Sequence, residues 1–502
     1  MKANARFYVV LGLLLVIVVM WRWSTSNYYD FSTIAKGRVQ LASGLRSESC
    51  KEIPDDVAAV AAVRLSVIVS TEASEEAVIT QTINSIIAYT DPSLLEEVII
   101  ATDKSMTEEH RQLLLNEFAH YRPIIHIADG HAENRLKNKL VVGHLARGNI
   151  VVFIDDTVVV SDGYLLPLIG VLKQHPERIA VPTYDYLTDL TASAETSWTQ
   201  RKWVFDWFLN VEPYELSFQE LASKPENEAS AVMAFDTAAF ALHKSYLKKL
   251  GALKNGMNYS GSIDISFATW LCGDGAFVVP CSRVAKINVH QKLPSPDEKT
   301  RYNIAHRYFT EKYISIFNRV HQEQIVLDEE DERRMMVEKS LQKNCPRDFD
   351  WYMKNIVKDE VFVPSEEAIA YGYFNSNSGT VCFRQTPAMI FLGYIGCKMH
   401  KRDTMIEYLK SGQLRMGSEC LTASEKGYVV TDPCDYEKNT HKWKSTKYKQ
   451  FQAESSKRCI SHSTDPYKEE EGRQVLMFTE CTDETNPDSF QWQKWNSFVW
   501  LK

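Results

Sequence analysis

Four polar residues that could bind a nucleotide or a metal, Ser70, Asp103, Asp155 and Asp156, stand at the ends of short apolar runs. An aspartate in such a position can hold a divalent metal on a diphosphate, because hard cations take oxygen ligands. The stretch FIDDT at 153–157 is the strongest local candidate for a site of this kind. Acidic residues also follow buried strands where no ligand binds, so the surrounding elements have to be considered.

The apolar runs that end in these residues have the length of strands, and segments with helical spacing separate them. We predict strands at 65–70, 97–103, 123–129 and 150–156, and helices at about 75–89, after Thr107 and at about 134–147. Alternating strands and helices with short connections are typical of a mostly parallel sheet covered by helices. Ligands of such α/β sheets bind at the carboxyl ends of the strands, where the four residues lie.

Charge and cysteine content limit the partners and the compartment. The 502 residues include 57 Lys or Arg and 65 Asp or Glu, which gives a formal net charge of −8. This balance argues against nucleic acid as a partner, because such binding needs a basic surface to replace phosphate counterions. The ten cysteines permit five disulfides, which form in oxidising compartments.

The N-terminus predicts such a compartment. Residues 7–21 form an uncharged apolar run flanked by arginines, and Trp23 extends it to about the shortest length that crosses a bilayer. A cleaved signal peptide is the alternative, but no clear small-x-small cleavage site follows. We therefore expect a cytoplasmic tail at 1–6, an uncleaved signal anchor at 7–23, a luminal stem at 24–60 and folded domains in the oxidising lumen.

The last third of the chain contains an internal repeat. Its cysteines lie 38 and 39 residues apart at the first position of each copy, and each has a second cysteine downstream: Cys382 and Cys397, Cys420 and Cys434, Cys459 and Cys481. A period near 39 with recurring cysteines and large apolar residues indicates three copies of one small unit. The lengths allow short strands and turns, so we predict a three-lobed β-domain at about 365–500.

In the order and spacing of several stretches the chain resembles the polypeptide N-acetylgalactosaminyltransferases, Golgi type II membrane proteins that start mucin-type O-glycosylation. The stretches include LSVIVS, EVIIATD, IVVFIDD, FDW at 205–207, SFATWLCGDGAFVVPCS at 266–282 and WYMKNI at 351–356. The resemblance runs from about Cys50 to Trp495. It implies a GT-A (Rossmann-like) glycosyltransferase domain at 61–350, a C-terminal ricin-type β-trefoil at 365–500 and a Golgi membrane location. It also implies Mn²⁺ as cofactor, a UDP-sugar donor, a protein acceptor and a partner transferase as a further candidate.

The resemblance also implies how the cysteines pair. The bridges would be Cys50–Cys281, Cys272–Cys345, Cys382–Cys397, Cys420–Cys434 and Cys459–Cys481. All ten cysteines are used in this scheme, and each closure typically contributes about 2–4 kcal/mol to stability.

The same resemblance assigns roles at the strand ends. Asp103 matches the carboxylate that receives the uracil ring, and Asp155 matches the aspartate of an Asp-x-His metal motif. Lys139 replaces an arginine on the phosphate side and keeps its charge without the bidentate fork. Ser70 and Asp156 complete the expected nucleotide-sugar site.

The metal ligands of the family are only partly present. Thr157 stands where the motif has its histidine, and Lys286 stands where the second metal-binding histidine is expected. His290, four residues further on, is the candidate replacement ligand, and a surface or hydrogen-bonded histidine is the alternative. Lys286 is in turn a candidate to neutralise a diphosphate without metal, since transfer requires only that the leaving-group charge is stabilised.

The catalytic loop also departs from the family pattern. The family's Trp-Gly-Gly-Glu-Asn falls on 258–262, so its acidic residue is absent, and Asp264 is the nearby candidate catalytic acid. Glu72 aligns with a histidine of the family. Asn258 begins an Asn-x-Ser sequon, and a glycan there would crowd the acceptor pocket; the alternative is an unused sequon.

The repeats have lost the residues expected to bind sugar. Arg384, Thr422 and Ser461 stand where a GalNAc-binding repeat of the family has an aspartate. Losing a hydrogen-bonding carboxylate removes an orientation-specific contact. The cysteines remain, as do the tryptophans of two Gln-x-Trp elements, Trp443 and Trp492. We therefore expect a folded trefoil without a lectin sugar-binding residue.

Two functions follow from the sequence. The family's activity, transfer of GalNAc from UDP-GalNAc to Ser or Thr of proteins with retention, is the function class that the whole-chain architecture supports. The alternative is a catalytically impaired pseudoenzyme of the same fold that acts as a Golgi binding or regulatory protein. The substituted metal histidines and the missing loop glutamate favour this alternative, and transfer of a different sugar stays open.

Overall fold

The structure is a computed structural model, and it describes most of the chain from Cys50 onward. The described residues are 50, 62–71, 76–102, 106–121, 124–129, 134–187, 201–216, 227–253, 259–287, 293–321, 325, 327–375, 381–385, 390–396, 404–424, 427–464, 474–483, 485 and 495–501. These residues form two compact units. The first takes its described residues from Met1–Trp203, Val211–Pro296 and Glu330–Arg347, and the second from Val204–Asn210, Asp297–Glu329 and Asp348–Lys502.

The first unit contains a large mixed sheet. Its strands within the described residues are β1 (Leu65–Ser70), β2 (Leu95–Thr102), β3 (Ile125–Asp129), β4 (Ile150–Asp155), β5 (Val158–Val160) and β6 (Ile179–Leu187). After β7 (Arg201–Phe205) and β8 (Val211–Glu215), which lie outside this sheet, come β9 (Ser230–Val232), β10 (Ala239–His243) and β11 (Ala276–Ile287). The order is β3-β2-β1-β4-β10-β6-β11-β5, with β9 paired to β11.

The first four strands form a parallel block of the sheet, and β6 and β11 form a further parallel pair. β1 pairs in parallel with both β2 and β4, and β2 pairs in parallel with β3. Every residue of β1 and β4 is buried, as expected for strands covered on both faces. The apolar runs therefore predicted these strands with ends within two residues of the observed ones. β10 enters antiparallel to β4, so the sheet is mixed beyond that point.

Helices follow the strands at the positions that the spacing predicts. In the first unit they are α1 (Glu76–Tyr89), α2 (Glu108–Glu117), α3 (Arg135–Gly143), α4 (Leu165–Gln174), α5 (Lys244–Leu253) and α6 (Ser262–Cys272). α3 begins after Asn134, whose side chain caps the helix by accepting a hydrogen bond from the Lys137 amide at 2.8 Å. It ends four residues before the predicted end at 147, where the chain turns into the loop that precedes β4.

The segment at about 300–350 is helical, as its composition predicts. It contains α7 (Glu298–Tyr308), α8 (Glu311–Val320), α9 (Glu329–Gln342) and α10 (Phe349–Tyr352), and α10 continues into a π-helical turn at Met353–Val357. α9 belongs to the first unit, and the others belong to the second.

Disulfides join segments that are distant in sequence. Cys50 is bonded to Cys281 of β11, and Cys272 at the end of α6 is bonded to Cys345. In the second unit Cys420–Cys434 and Cys459–Cys481 close two of the repeats. The expected Cys382–Cys397 pair involves Cys397, which lies outside the described residues.

The rest of the second unit consists of short strands. They are β12 (Ala368–Gly372), β13 (Val381–Gln385), β14 (Ile390–Gly396), β15 (Ile406–Leu409), β16 (Leu414–Met416), β17 (Glu419–Ala423), β18 (Val429–Pro433), β19 (Trp443–Ser445), β20 (Phe451–Ala453), β21 (Cys459–Thr464), β22 (Gln474–Thr479) and β23 (Val499–Trp500). As far as the chain is described, they make two six-stranded sheets, β18-β17-β16-β15-β12-β23 and β13-β14-β22-β21-β20-β19.

An aromatic core fills this β-domain. Phe374, Trp443, Phe451 and Trp495 are all buried in one apolar cluster. The Trp443 indole also donates a hydrogen bond to the Leu421 carbonyl at 3.0 Å, so its polar atom is satisfied inside the core.

No helix among the described residues is long and apolar enough to cross a membrane. The apolar run predicted as an anchor, 7–23, lies outside those residues, as does most of the predicted stem.

Candidate functional site

The carboxyl ends of β1 and β4 bring three of the candidate residues together. Ser70 stands opposite Asp155 in the register of the two strands, and the Asp156 amide donates to the Ser70 carbonyl at 3.0 Å. Ser70 also neighbours Ala101 near the end of β2. Asp103, which follows β2, lies outside the described residues. This edge of the sheet, with Ser70, Asp155 and Asp156, is called the donor edge below.

Lys139 of α3 is buried beneath the donor edge and neutralises Asp155. Its ammonium donates to Asp155 Oδ1 at 2.5 Å and to the Thr237 carbonyl. Lys139 has no exposed surface. Burial lowers the pKa of Lys139 and raises the pKa of Asp155, because both charges have been removed from water, while their mutual attraction opposes both shifts.

Arg135, one helical turn before Lys139, holds the second carboxylate. Its Nη1 donates to Asp156 Oδ1 at 3.0 Å and lies 3.6 Å from Asp155 Oδ2. Asp156 is completely buried. Both oxygens of Asp155 therefore face cations of α3. A ligand that binds at this edge contacts carboxylates that are already paired with cations.

A third ion pair joins Lys286 of β11 to Asp236. The Lys286 ammonium donates to Asp236 Oδ2, and Asp236 Oδ1 accepts from the Ala238 amide at 2.9 Å. Lys286 pairs with Val158 of β5, two residues after Asp156, so β11 places this lysine next to the donor edge. The negative charge of Asp236 also acts on Lys139 and Asp155, so the three ion pairs form one electrostatic cluster.

Asp264 lies in the first turn of α6, where it is buried and fixes the preceding loop. Its Oδ2 accepts from the Ser260 amide at 2.9 Å. The carbonyl of Tyr259 accepts from the Asn134 side chain at 3.4 Å, and Ser262 Oγ donates to the Phe235 carbonyl. These contacts hold the start of α6 against the segments that carry Arg135 and Asp236. The structure thus gives Asp264 a positioning contact; Asn258, in the same loop, is outside the described residues.

Sequence reasoning missed Arg135 and Asp236. Arg135 had a signal, since it lies four residues before Lys139 on a predicted helix and therefore on the same face. No sequence pattern marked Asp236 as a site residue. It precedes a strand, lies 50 positions from Lys286 in the sequence and contacts Lys286 only in the folded chain.

The described residues do not fit the Mn²⁺ that the resemblance implies. Thr157 and Lys286 offer no imidazole, and the ammonium of Lys286 repels a cation instead of donating a lone pair. Asp155, the remaining acid of the motif, faces Lys139 and Arg135. Among the described residues no group of three or more His, Cys, Asp or Glu side chains is placed to hold a metal. His290 is outside them.

The sheet and helices of the first unit have the GT-A fold of glycosyltransferases. Residues 66–240 match the family described as glycosyl transferase family 2. A crystal structure of GalNAc-T7 with UDP, GalNAc and Mn²⁺ superimposes with a TM-score of 0.56, over 91% of this chain and 85% of that one, at 19% identity.

Curated relatives indicate which glycosyltransferases this chain is similar to. Probable N-acetylgalactosaminyltransferase 9 of Caenorhabditis elegans is 24% identical over 83% of this chain and 74% of its own length. Polypeptide N-acetylgalactosaminyltransferase 11 of Xenopus tropicalis is 26% identical over 72% of this chain and 59% of its own length. The inactive polypeptide N-acetylgalactosaminyltransferase-like protein 5 of Macaca fascicularis is 26% identical over 55% of this chain and 63% of its own length. The chain is therefore similar to polypeptide N-acetylgalactosaminyltransferases and to a relative of that group that is named as inactive.

Proposed function

We propose that this GalNAc-transferase-like protein takes part in the initiation of mucin-type O-glycosylation, with UDP-GalNAc as donor and Ser or Thr hydroxyls of proteins as acceptors. The observation that carries the proposal is the donor edge, where Ser70, Asp155 and Asp156 end neighbouring strands of a GT-A sheet above Lys139. Relatives named as polypeptide GalNAc-transferases, and a structural neighbour that contains UDP and GalNAc, support this donor and acceptor.

The chemistry expected of such a site is mainly positioning and charge stabilisation. The bond from the sugar's anomeric carbon to the diphosphate breaks, the bond to the hydroxyl forms on the same face, and negative charge grows on the leaving diphosphate. Among the described residues, Lys286 and Arg135 are cations with exposed surface beside the donor edge. Because the described residues do not fit Mn²⁺, no step of the proposal runs through a metal.

A second candidate is a catalytically impaired pseudoenzyme that acts as a binding or regulatory protein. The observation that favours it is the pairing of each acid at the site: Asp155 with Lys139, Asp156 with Arg135 and Asp236 with Lys286. A carboxylate whose oxygens face cations of the chain is less available to a metal ion or to an acceptor hydroxyl, as at Asp155 between Lys139 and Arg135. A relative named as inactive is consistent with this reading.

The remaining parts of the proposal concern location and the C-terminal domain. The apolar run 7–23 supports a type II protein of the Golgi membrane, with the two units in the lumen. The β-domain supports a ricin-type β-trefoil with three repeats. At two of the positions where a GalNAc-binding repeat would have an aspartate, Thr422 Oγ1 donates to the Thr440 carbonyl at 3.3 Å and Ser461 is buried.

A transfer assay decides between the two candidates. The purified protein is incubated with UDP-GalNAc and a set of Ser- and Thr-containing peptides, once with Mn²⁺ and once with EDTA. The masses of the peptides are then measured by mass spectrometry. A gain of one HexNAc in either condition supports the transferase. No gain in both conditions supports the pseudoenzyme, and the triple variant T157H/G261E/K286H then tests whether the family's residues restore transfer on this scaffold.

A further inference from the structure

Two lysines of the donor edge have different roles in the structure. The side chain of Lys139 is 1% exposed and that of Lys286 is 16% exposed. Lys139 uses two of its three ammonium hydrogens on Asp155 and Thr237. Within the described residues Lys286 donates to Asp236, and its ammonium also lies 5.7 Å from the centre of the Tyr184 ring. Lys139 is therefore a fixed counter-charge, and of the two lysines Lys286 is the one with exposed surface for a ligand.

The donor edge also contains buried hydroxyls that lack partners. Ser70 Oγ and Thr71 Oγ1 have no hydrogen-bond partner among the described residues, and each residue is 1% exposed. Leaving such a group unsatisfied costs about 1–3 kcal/mol, and buried polar side chains are therefore normally hydrogen-bonded. Together with Asp156 Oδ2, which also has no hydrogen-bond partner among the described residues, the two hydroxyls are polar atoms at this edge that a water molecule or a polar ligand would satisfy.

The position of Lys286 matches the charge that a diphosphate brings. β11 sets Lys286 opposite Val158, just past Asp155 and Asp156 on the chain. A diphosphate carries at least two negative charges, and charge-assisted hydrogen bonds from an ammonium to its oxygens are among the stronger ones in proteins. In a GT-A site that charge has to be neutralised, either by a bound divalent ion or by a fixed cation of the chain.

We infer that Lys286 takes the place of a divalent ion, so that the diphosphate of a nucleoside-diphosphate sugar binds at the donor edge without metal. Lys139 and Arg135 keep Asp155 and Asp156 neutralised, and Lys286 contacts the phosphate oxygens. This inference rests on the proposed donor, a nucleoside-diphosphate sugar. It does not require that the sugar is transferred to an acceptor.

The test is calorimetric titration of UDP into the full-length protein in detergent, in EDTA and in Mn²⁺. We expect the same dissociation constant in both conditions, to within about twofold. Lys286→Ala should weaken UDP binding about tenfold or more, which corresponds to the loss of one charge-assisted contact, and Lys286→Arg should retain it to within a few fold. The matched control is Lys249→Ala, which removes another lysine of the first unit from an exposed ion pair with Glu177 and should leave UDP binding unchanged.

Three results would overturn the inference: UDP binding that requires Mn²⁺, wild-type UDP binding in Lys286→Ala, or no UDP binding in either condition. If Lys286→Ala does not fold, Lys286→Gln, which keeps a hydrogen-bond donor for Asp236 without the charge, replaces it. Failure of the proposed transfer is distinguishable, because metal-free UDP binding that depends on Lys286 would persist while no HexNAc reaches a peptide.

Discussion

Replacing Lys139 with methionine tests whether the chain's own cations hold the donor edge together. The substitution keeps the length and apolar stem of the side chain but removes the ammonium that donates to Asp155 and Thr237. Asp155 is then left buried with Arg135 as its remaining cation, at 3.6 Å. Removing one partner of a buried ion pair typically costs about 3–5 kcal/mol, because the other charge stays uncompensated.

That cost is large enough to measure by thermal or urea unfolding. At about 2–4 °C per kcal/mol for a domain of this size, the melting temperature of the first unit should fall by roughly 6–20 °C. The control is the double variant Lys139→Met/Asp155→Asn, in which both charges are gone. It should recover at least half of the lost stability, and comparison with the single variants Lys139→Met and Asp155→Asn gives the coupling between the two side chains.

The loss in Lys139→Met should also depend on pH. Burial already raises the pKa of Asp155, and without Lys139 that pKa rises further. A carboxyl whose pKa is higher in the folded than in the unfolded state favours unfolding as pH rises through these values. The deficit of the variant should therefore be larger at pH 7.5 than at pH 5.5. A loss below 1 kcal/mol, or a double variant whose loss is the sum of the two single ones, would refute the reasoning.

Three further results are expected. Mn²⁺ should not raise the melting temperature relative to EDTA, whereas a metal at 100 times its dissociation constant would add about 2.7 kcal/mol. A clear upward shift in differential scanning fluorimetry would contradict the misfit of Mn²⁺ to the described residues. Cys272→Ser with Cys345→Ser should lower stability by about 2–4 kcal/mol, measured in urea under non-reducing conditions, and an unchanged midpoint would count against a structural bridge. Trp443→Ala should lower the free energy of unfolding by about 3–5 kcal/mol, since the indole is buried and hydrogen-bonded to the Leu421 carbonyl. A native near-ultraviolet circular dichroism spectrum with no loss of stability would disprove this core role.

The sequence predicted the parallel block of β1 to β4 because the physical signal there is local. Runs such as LSVIVS and IVVFID are apolar throughout, and strands buried on both faces require that composition. The helix after Asn134 carried its own start signal in the cap. The four described disulfides join the cysteines that the family resemblance pairs, and spacing alone would have left their connectivity open.

The ion pairs of the site were not predictable from the sequence in the same way. Lys139 and Lys286 were recognised as charges at phosphate-side positions, but their partners depend on which distant segments the fold brings together. Asp236 is 50 positions from Lys286 and lies in an ordinary loop before β10. Asp264 was taken as a candidate catalytic acid, and the structure shows its carboxylate accepting from the Ser260 amide. Asp103, Asn258 and His290 lie outside the described residues, and their roles stay predictions.

The bridge between Cys50 and Cys281 also governs what proteolysis can release. The two cysteines are 231 positions apart, and the bond closes a covalent ring that contains the donor edge. A protease that cuts once anywhere inside this ring leaves both pieces joined, so the nicked chain runs as one species until a reductant is added. A cut before Cys50 instead frees every described residue in one piece. If 7–23 anchors the chain, secretion by a single cleavage therefore requires a cut between the anchor and Cys50.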